Sequence, residues 1–415
     1  MKAGEYIKAL KKEILSISNE TSISQRGIKD NENYPSPIPL PQGEGARGCQ
    51  TRLIRRGEKD IFSEETTFKS LYIGGGTPSV LSANILSDLT NHIFSNLDFV
   101  QGYEATIEAN PGTLDNEKLQ ALYASGINRI IIGVQSFNDD ELDCLGRLHS
   151  SYDAEQAVYL AGNAGFENIG IDLIYGIPGQ NKNSWLKTLQ KAVSLKPRHI
   201  SAYELTVEQG TLLSDYTKTH RLKLMEDEII IEMYGHAVNQ LKAEGFVHYE
   251  ISSFAKPGYS CRHNLNYWRR GEYYGAGSGA HSFIKGKRFY NTDNLEDYIK
   301  SLLKNKRPIK GTEDITEQKA MSEAFFLGLG QTGGINLKNF HETYDRDILM
   351  FYHKEIRELQ DAGLIEINGL PRSSGTEHSN GMNDNKTDSY MRLTNKGIVL
   401  SNEVFIKLMD VEDKQ

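Results

Sequence analysis

Between residues 68 and 205 the chain repeats one unit: a short apolar run, a turn, then an amphipathic helical stretch. The apolar runs are Leu71–Ile73, Tyr103–Ala109, Arg129–Val134, Ile169–Ile174 and His199–Leu205. Helical patterns at Asp115–Ala124, Ala154–Ala164 and Ser184–Leu195 lie between them. Apolar strands joined through helices pair in parallel by right-handed crossovers. The expectation is an α/β fold built on a parallel sheet or barrel, and such folds gather their functional residues at the carboxyl ends of the strands.

Those ends form a coherent set. The first is Gly74-Gly75-Gly76-Thr77-Pro78, within "YIGGGTPS". The second is Glu108, Asn110 and Pro111, the third Gln135 and Ser136, the fourth Asp172 and Tyr175, the fifth Tyr203 and Glu204. Glycine runs cost chain entropy and persist where the backbone takes positive φ or approaches a ligand. GGGTP is neither a phosphate-binding P-loop nor a GxGxxG dinucleotide fingerprint. A glycine turn, two carboxylates and an amide suit a polar ligand carrying amino, ribose and carboxylate groups. The competing reading is that each polar residue only caps the following helix.

The flanks are read by composition. Residues 4–17 pattern as a helix with Tyr6, Ile7, Leu10, Ile14 and Leu15 on one side. Residues 19–67, with alternating Pro35, Pro37, Pro39 and Pro41, read as a disordered insertion. A long helix at Leu222–Glu244 precedes a strand-like FVHYEI, and residues 315–415 suggest helices with a two-stranded wing, interrupted by a polar insert at 371–388. The expected organisation is a first barrel helix at 1–18, the insertion at 19–67, a partial barrel at 68–290 and a winged-helix-like C-terminal domain at 291–415. A net charge of −8 argues against nucleic acid as a partner. No apolar run approaches the ~20 residues that span a bilayer, and the start lacks a secretory core. Three scattered cysteines imply no disulfide framework, so a cytoplasmic protein is expected.

The motifs GGGTPS, IEANPGT, GVQSFND, IDLIYGIPGQ and HNLNYW, in this order, resemble the radical S-adenosylmethionine (SAM) family of oxygen-independent coproporphyrinogen III oxidases, and most of all its HemW-type haem-chaperone branch. The resemblance spans residues 1–18 and roughly 68–415. It implies a partial (β/α)6-type barrel with SAM across its top, bound also to a four-iron cluster. Motif by motif, Gly75, Gly76 and Thr77 would meet the amino-acid end of SAM, and Glu108, Gln135, Arg147 and Asp172 would complete the site. HNxxYW marks the haem-binding branch, so His263 would ligate haem iron while Tyr267 and Trp268 stack on the porphyrin. Tyr273 and the flanking Arg262, Arg269 and Arg270 would add stacking and propionate contacts, with His281 as a second candidate ligand. A satisfied core histidine is the competing reading for both histidines.

Two departures accompany the match. The family carries CxxxCxxC just after its first barrel strand; this chain has no such motif, and Cys49 has no cysteine neighbour. Its first helix resembles the helix beyond the cysteine loop, which implies a barrel missing its first strand, with an unpaired edge. Metal ligands are therefore expected to be absent, with SAM-site residues retained without a cluster. The second departure is Gly330, where the branch places arginine. The resulting expectation is a haem chaperone-like protein of porphyrin metabolism that resembles the oxidase without its radical activity, with haem and acceptor haemoproteins as partners. The alternatives are a cluster-less haem carrier and a non-functional truncated copy.

Overall fold

The computed structural model describes residues 2–23, 50–55, 67–207, 210, 214, 215, 219, 223–368 and 389–409. A curled sheet of twelve strands forms its frame. In chain order these are β1 (Gln50–Arg55), β2 (Phe68–Gly74), β3 (Phe99–Ala109), β4 (Arg129–Gln135), β5 (Asn168–Tyr175), β6 (His199–Glu204), β7 (Val247–Glu250), β8 (Ser253–Ala255), β9 (Tyr273–Ala276), β10 (His281–Ile284), β11 (Lys287–Asn291) and β12 (Ile309–Asp314). Strands β2 to β6 pair in parallel and in sequence order, and helices connect them as the alternation predicts.

Each parallel strand divides its residues by parity, because successive side chains point to opposite faces. Ile107, Ile130, Ile132, Ile171, Leu173 and Ile200 face the helices and are fully buried. The opposite face, lining the inside of the half-barrel, is polar: Ser70 and Tyr72, Glu104 and Glu108, Arg129, Asp172, then His199 and Ser201. Burying that many polar groups is tolerable only if they satisfy one another or a ligand.

The sheet corrects three sequence expectations. Residues 19–67 were expected to have no fold, yet Gln50–Arg55 forms β1, and the first helix runs from Lys2 to Ile23. Strand β1 lies antiparallel between β2 and β9, with Gln50 opposite Gly74 and Thr51 opposite Ala276. The edge expected to lie open beside β2 is thus paired along its length. The second correction is the domain boundary at 290/291, which falls inside β11; the large sheet continues to Asp314. The third is Leu15, which is 40% exposed, whereas Tyr6, Ile7, Leu10 and Ile14 are buried as the pattern predicts and Ile17 joins them.

Glu13 ties the first helix to the far end of the sheet. Its buried carboxylate accepts from the Gly277 amide at 2.8 Å, Asn291 Nδ2 at 2.6 Å and the Tyr298 hydroxyl at 2.6 Å. Beyond residue 315 the chain forms helices around a small sheet of β13 (Ile335–Asn336), β14 (Ile365–Asn368) and β15 (Tyr390–Leu393). The polar insert expected at 371–388 lies outside the described residues. Buried Glu323 joins this module to the sheet by accepting from Arg270 at 2.8 Å and Arg288 at 2.7 Å.

Candidate functional site

The carboxyl ends of β2 to β5 meet at the mouth of the half-barrel. Gly75 and Gly76 take φ of 77° and 61°, a conformation that only glycine enters cheaply, and so turn the chain sharply back after β2. Glu108 reaches across from β3. Its carboxylate accepts from the Gly75 amide at 3.1 Å and from the Tyr72 hydroxyl at 2.8 Å. Asn110 then donates to Thr77 Oγ1 at 3.1 Å, which fixes the far side of the turn.

Gln135 ends β4 at φ 67°, a left-handed conformation rare for a residue with a side chain, and the register of β4 against β5 shifts there. A Cβ at Gly133 would lie 2.9 Å from Gln135 Nε2 and 3.1 Å from Asn110 Oδ1. The missing side chain at Gly133 therefore lets the two amides close in over the strand end. Ser136 turns away from the mouth and donates to buried Glu141 at 2.6 Å, a structural role.

Asp172, half-buried on β5, is the most perturbed carboxyl of the mouth. Burial pushes it up from 3.8 to about 7; the Ser201 hydroxyl opposes this, and the Glu108 charge adds to it. Its Oδ1 has no partner among the described residues, and neither does Arg147 Nε. Burial also pulls the Arg147 guanidinium down. Unmade bonds on shielded polar atoms are costly, so such atoms mark where a ligand belongs. A positively charged ligand placed between Glu108 and Asp172 would offset the repulsion between the two carboxylates.

The structure thus brings Gly75, Gly76, Thr77, Glu108, Gln135 and Asp172 to one mouth, and leaves Tyr175 and Glu204 out of it. Tyr175 has the opposite parity to Asp172 and packs outward against Trp185, with ring centroids 5.6 Å apart. Tyr203 has the right parity and is 39% exposed beside Asp172. Sequence reasoning missed Tyr72, Glu104, Arg129 and His199. Their signal was available: polar residues at alternate positions within otherwise apolar strands.

The HNxxYW segment is placed differently from the expectation. His263 is 1% exposed on the short helix Arg262–Trp268. Its Nδ1 lies 3.0 Å from Ser70 Oγ and its Nε2 lies 2.9 Å from the Tyr267 hydroxyl. With both nitrogens engaged in the floor of the half-barrel, His263 is a core histidine, and ligating iron would break its bonds. Tyr267 is committed to His263, and its ring meets Tyr273 edge-on at 4.7 Å. The Trp268 indole donates to Glu250. A Cβ at Gly330 would fall 2.1 Å from the Trp268 ring, so the indole fills the space that a side chain at this position would take. Arg262 donates to the Gly102 carbonyl at 2.7 Å and Arg270 to Glu323, whereas Arg269 is exposed. His281 is exposed and stacked on Tyr290 at 5.2 Å.

Among the described residues, Cys144 and Cys261 are both free and stand apart in the fold. Cys261 is buried, its thiol pushed up to about 12 chiefly by burial, and it lies 3.5 Å from Glu104. Cys144 donates to the Pro178 carbonyl at 3.7 Å. Cys49 lies outside the described residues, and among those described no three His, Cys, Asp or Glu side chains could hold a metal ion.

Comparison with known proteins agrees with this architecture. Residues 52–192 match the radical SAM superfamily model, and residues 315–369 match the HemN C-terminal domain. The heme chaperone HemW of Bacillus subtilis is 35% identical over 85% of this chain and 86% of its own length. The Lactococcus lactis heme chaperone HemW is 34% identical over 82% and 84%. Among solved structures, the coproporphyrinogen III oxidase HemN of Escherichia coli superposes with a TM-score of 0.70 at 19% identity, covering 98% of this chain and 83% of that one.

Proposed function

Given that the chain belongs to the heme chaperone HemW family of radical SAM proteins, we propose that it binds SAM at the half-barrel mouth and carries haem to an acceptor haemoprotein. The observation that carries the SAM assignment is the shielded, unpartnered Asp172 Oδ1, within electrostatic reach of the Glu108 carboxylate that braces the glycine turn. The amide of Gly76 and the hydroxyl of Thr77 would face the methionyl carboxylate, with the Gly75 amide held to Glu108 beside them. Glu108 would attract the amino group and sulfonium, while Asp172 accepts from ribose hydroxyls and Arg147 and Gln135 close the rim. This reading is one of binding: SAM is held as a ligand and haem is carried as cargo.

For haem, the exposed and aromatic-backed His281 is better placed than His263 to offer a ring nitrogen. Titrating haem into the whole chain should give a saturable Soret shift at about one haem per chain. His281→Ala should reshape that spectrum, and His263→Ala should leave the ligation signature intact. Failure of the wild-type chain to saturate would remove haem carriage from this reading. Among the described residues, no helix is long and apolar enough to cross a membrane.

A further inference from the structure

The HNxxYW helix packs against β2 and β3, and its His263 is linked to the glycine turn through Tyr72 and Glu108. Ser70 and Tyr72 share the inner face of β2, and Glu104 and Glu108 share that of β3. His263 is clamped to the lower pair: Ser70 Oγ meets its ring at 3.0 Å, and its backbone N–H donates to Glu104 at 3.1 Å. The Arg262 amide donates to the same carboxylate at 3.2 Å, so Glu104 caps the helix N-terminus from the sheet. The Tyr267 hydroxyl, 2.9 Å from Nε2, fixes the imidazole from the other side.

The upper pair rests on that clamp. The Tyr72 ring lies 5.0 Å from the His263 ring, tilted by 33°, and its hydroxyl donates to Glu108 at 2.8 Å. Glu108 in turn holds the Gly75 amide at 3.1 Å. The contact is close: a Cβ at Gly74 would lie 2.7 Å from the Tyr72 ring and 2.9 Å from the Glu108 carboxyl carbon. Only a residue without a side chain lets ring and carboxylate meet there.

We propose that His263 is a positioning residue for the SAM turn, acting through Tyr72 and Glu108. The inference rests on the assignment of the mouth as a SAM site. It gives the HNxxYW segment a role in preparing the turn, distinct from iron ligation. Without the imidazole the Tyr72 ring gains room to drop, its hydroxyl leaves Glu108, and the carboxylate that orients the Gly75 amide is held by one donor fewer.

The test is a double-mutant cycle read by calorimetry of SAM binding to the full chain, with unfolding followed separately. Tyr72→Phe and His263→Ala should each weaken SAM about tenfold, as expected for losing a hydrogen bond to a charged group. The double variant should be no weaker than the weaker single one, because both act on the same contact. Should His263→Ala fail to fold, Ser70→Ala and Tyr267→Phe loosen the same ring without leaving a cavity, and each should weaken SAM in the same direction. Leu393→Ala, in the small C-terminal sheet, should lower stability and leave SAM affinity unchanged. Normal SAM affinity in the His263-clamp variants, with loss in Asp172→Ala, overturns the proposal while sparing the pocket. Additive losses in the cycle overturn it as well. A wild-type chain that binds no SAM overturns the pocket and the proposal together.

Discussion

Replacing Asp172 with asparagine should make the ligand-free protein more stable at pH 8 and its SAM binding weaker. Asp172 is held at about 7 in the fold, against 3.8 when solvated. The folded state therefore grips the proton more tightly than the unfolded chain. Stability from this group is complete below about pH 4, drains away as pH rises and levels off above about pH 7. At ~1.4 kcal/mol per pH unit the full displacement is worth about 4 kcal/mol. Partial solvent contact at the mouth reduces this to about 2 kcal/mol. Urea unfolding of wild type and Asp172→Asn at pH 5 and pH 8 reads the effect directly. The advantage of the variant should grow by roughly 1 to 2 kcal/mol between the two values. Calorimetry should show the opposite sign for SAM, since a neutral amide accepts less strongly from ribose hydroxyls and no longer attracts a cation. Parallel pH profiles for the two proteins, or a variant less stable than wild type at pH 8, would refute the argument that this carboxyl is held in a strained, ligand-awaiting state.

Two further outcomes follow from the packing. Gly330→Ala should push the Trp268 indole off its seat and away from Glu250, costing about 1–3 kcal/mol by overpacking. Since the only other tryptophan, Trp185, is fully buried and bonded to the Met233 carbonyl, a shift in tryptophan emission would report the displacement, and unchanged emission would contradict it. Leu53→Pro should remove a ladder N–H from a strand flanked on both sides, since Leu53 faces Leu71 on one neighbour and Tyr274 on the other. The expected result is aggregation through the opened edge of β2, seen by light scattering; a monomeric, normally melting variant would show that β1 contributes little.

The sequence by itself determined the frame of the half-barrel. Strand–helix alternation places β2 to β6 because local hydrophobic patterning and turn chemistry are properties of short segments, and parallel pairing follows from the helical crossovers. The glycine turn, Glu108, Gln135 and Asp172 could be picked out for the same reason, each standing within three residues of a strand end. What only the tertiary structure decided is which neighbours complete each group. Whether Tyr175 or Tyr203 faces the mouth depends on a one-residue parity, which is settled only by which face of each strand the helices cover. That Gln50–Arg55 would pair between β2 and β9 depends on partners some twenty and two hundred and twenty residues away, and no local pattern encodes a vacancy in a sheet. His263 shows the limit most clearly: histidine beside aromatic residues and arginines reads as a haem site, but Ser70 and Glu104, which claim its ring and its amide, are brought to it only by the closing of β2 and β3 over the helix.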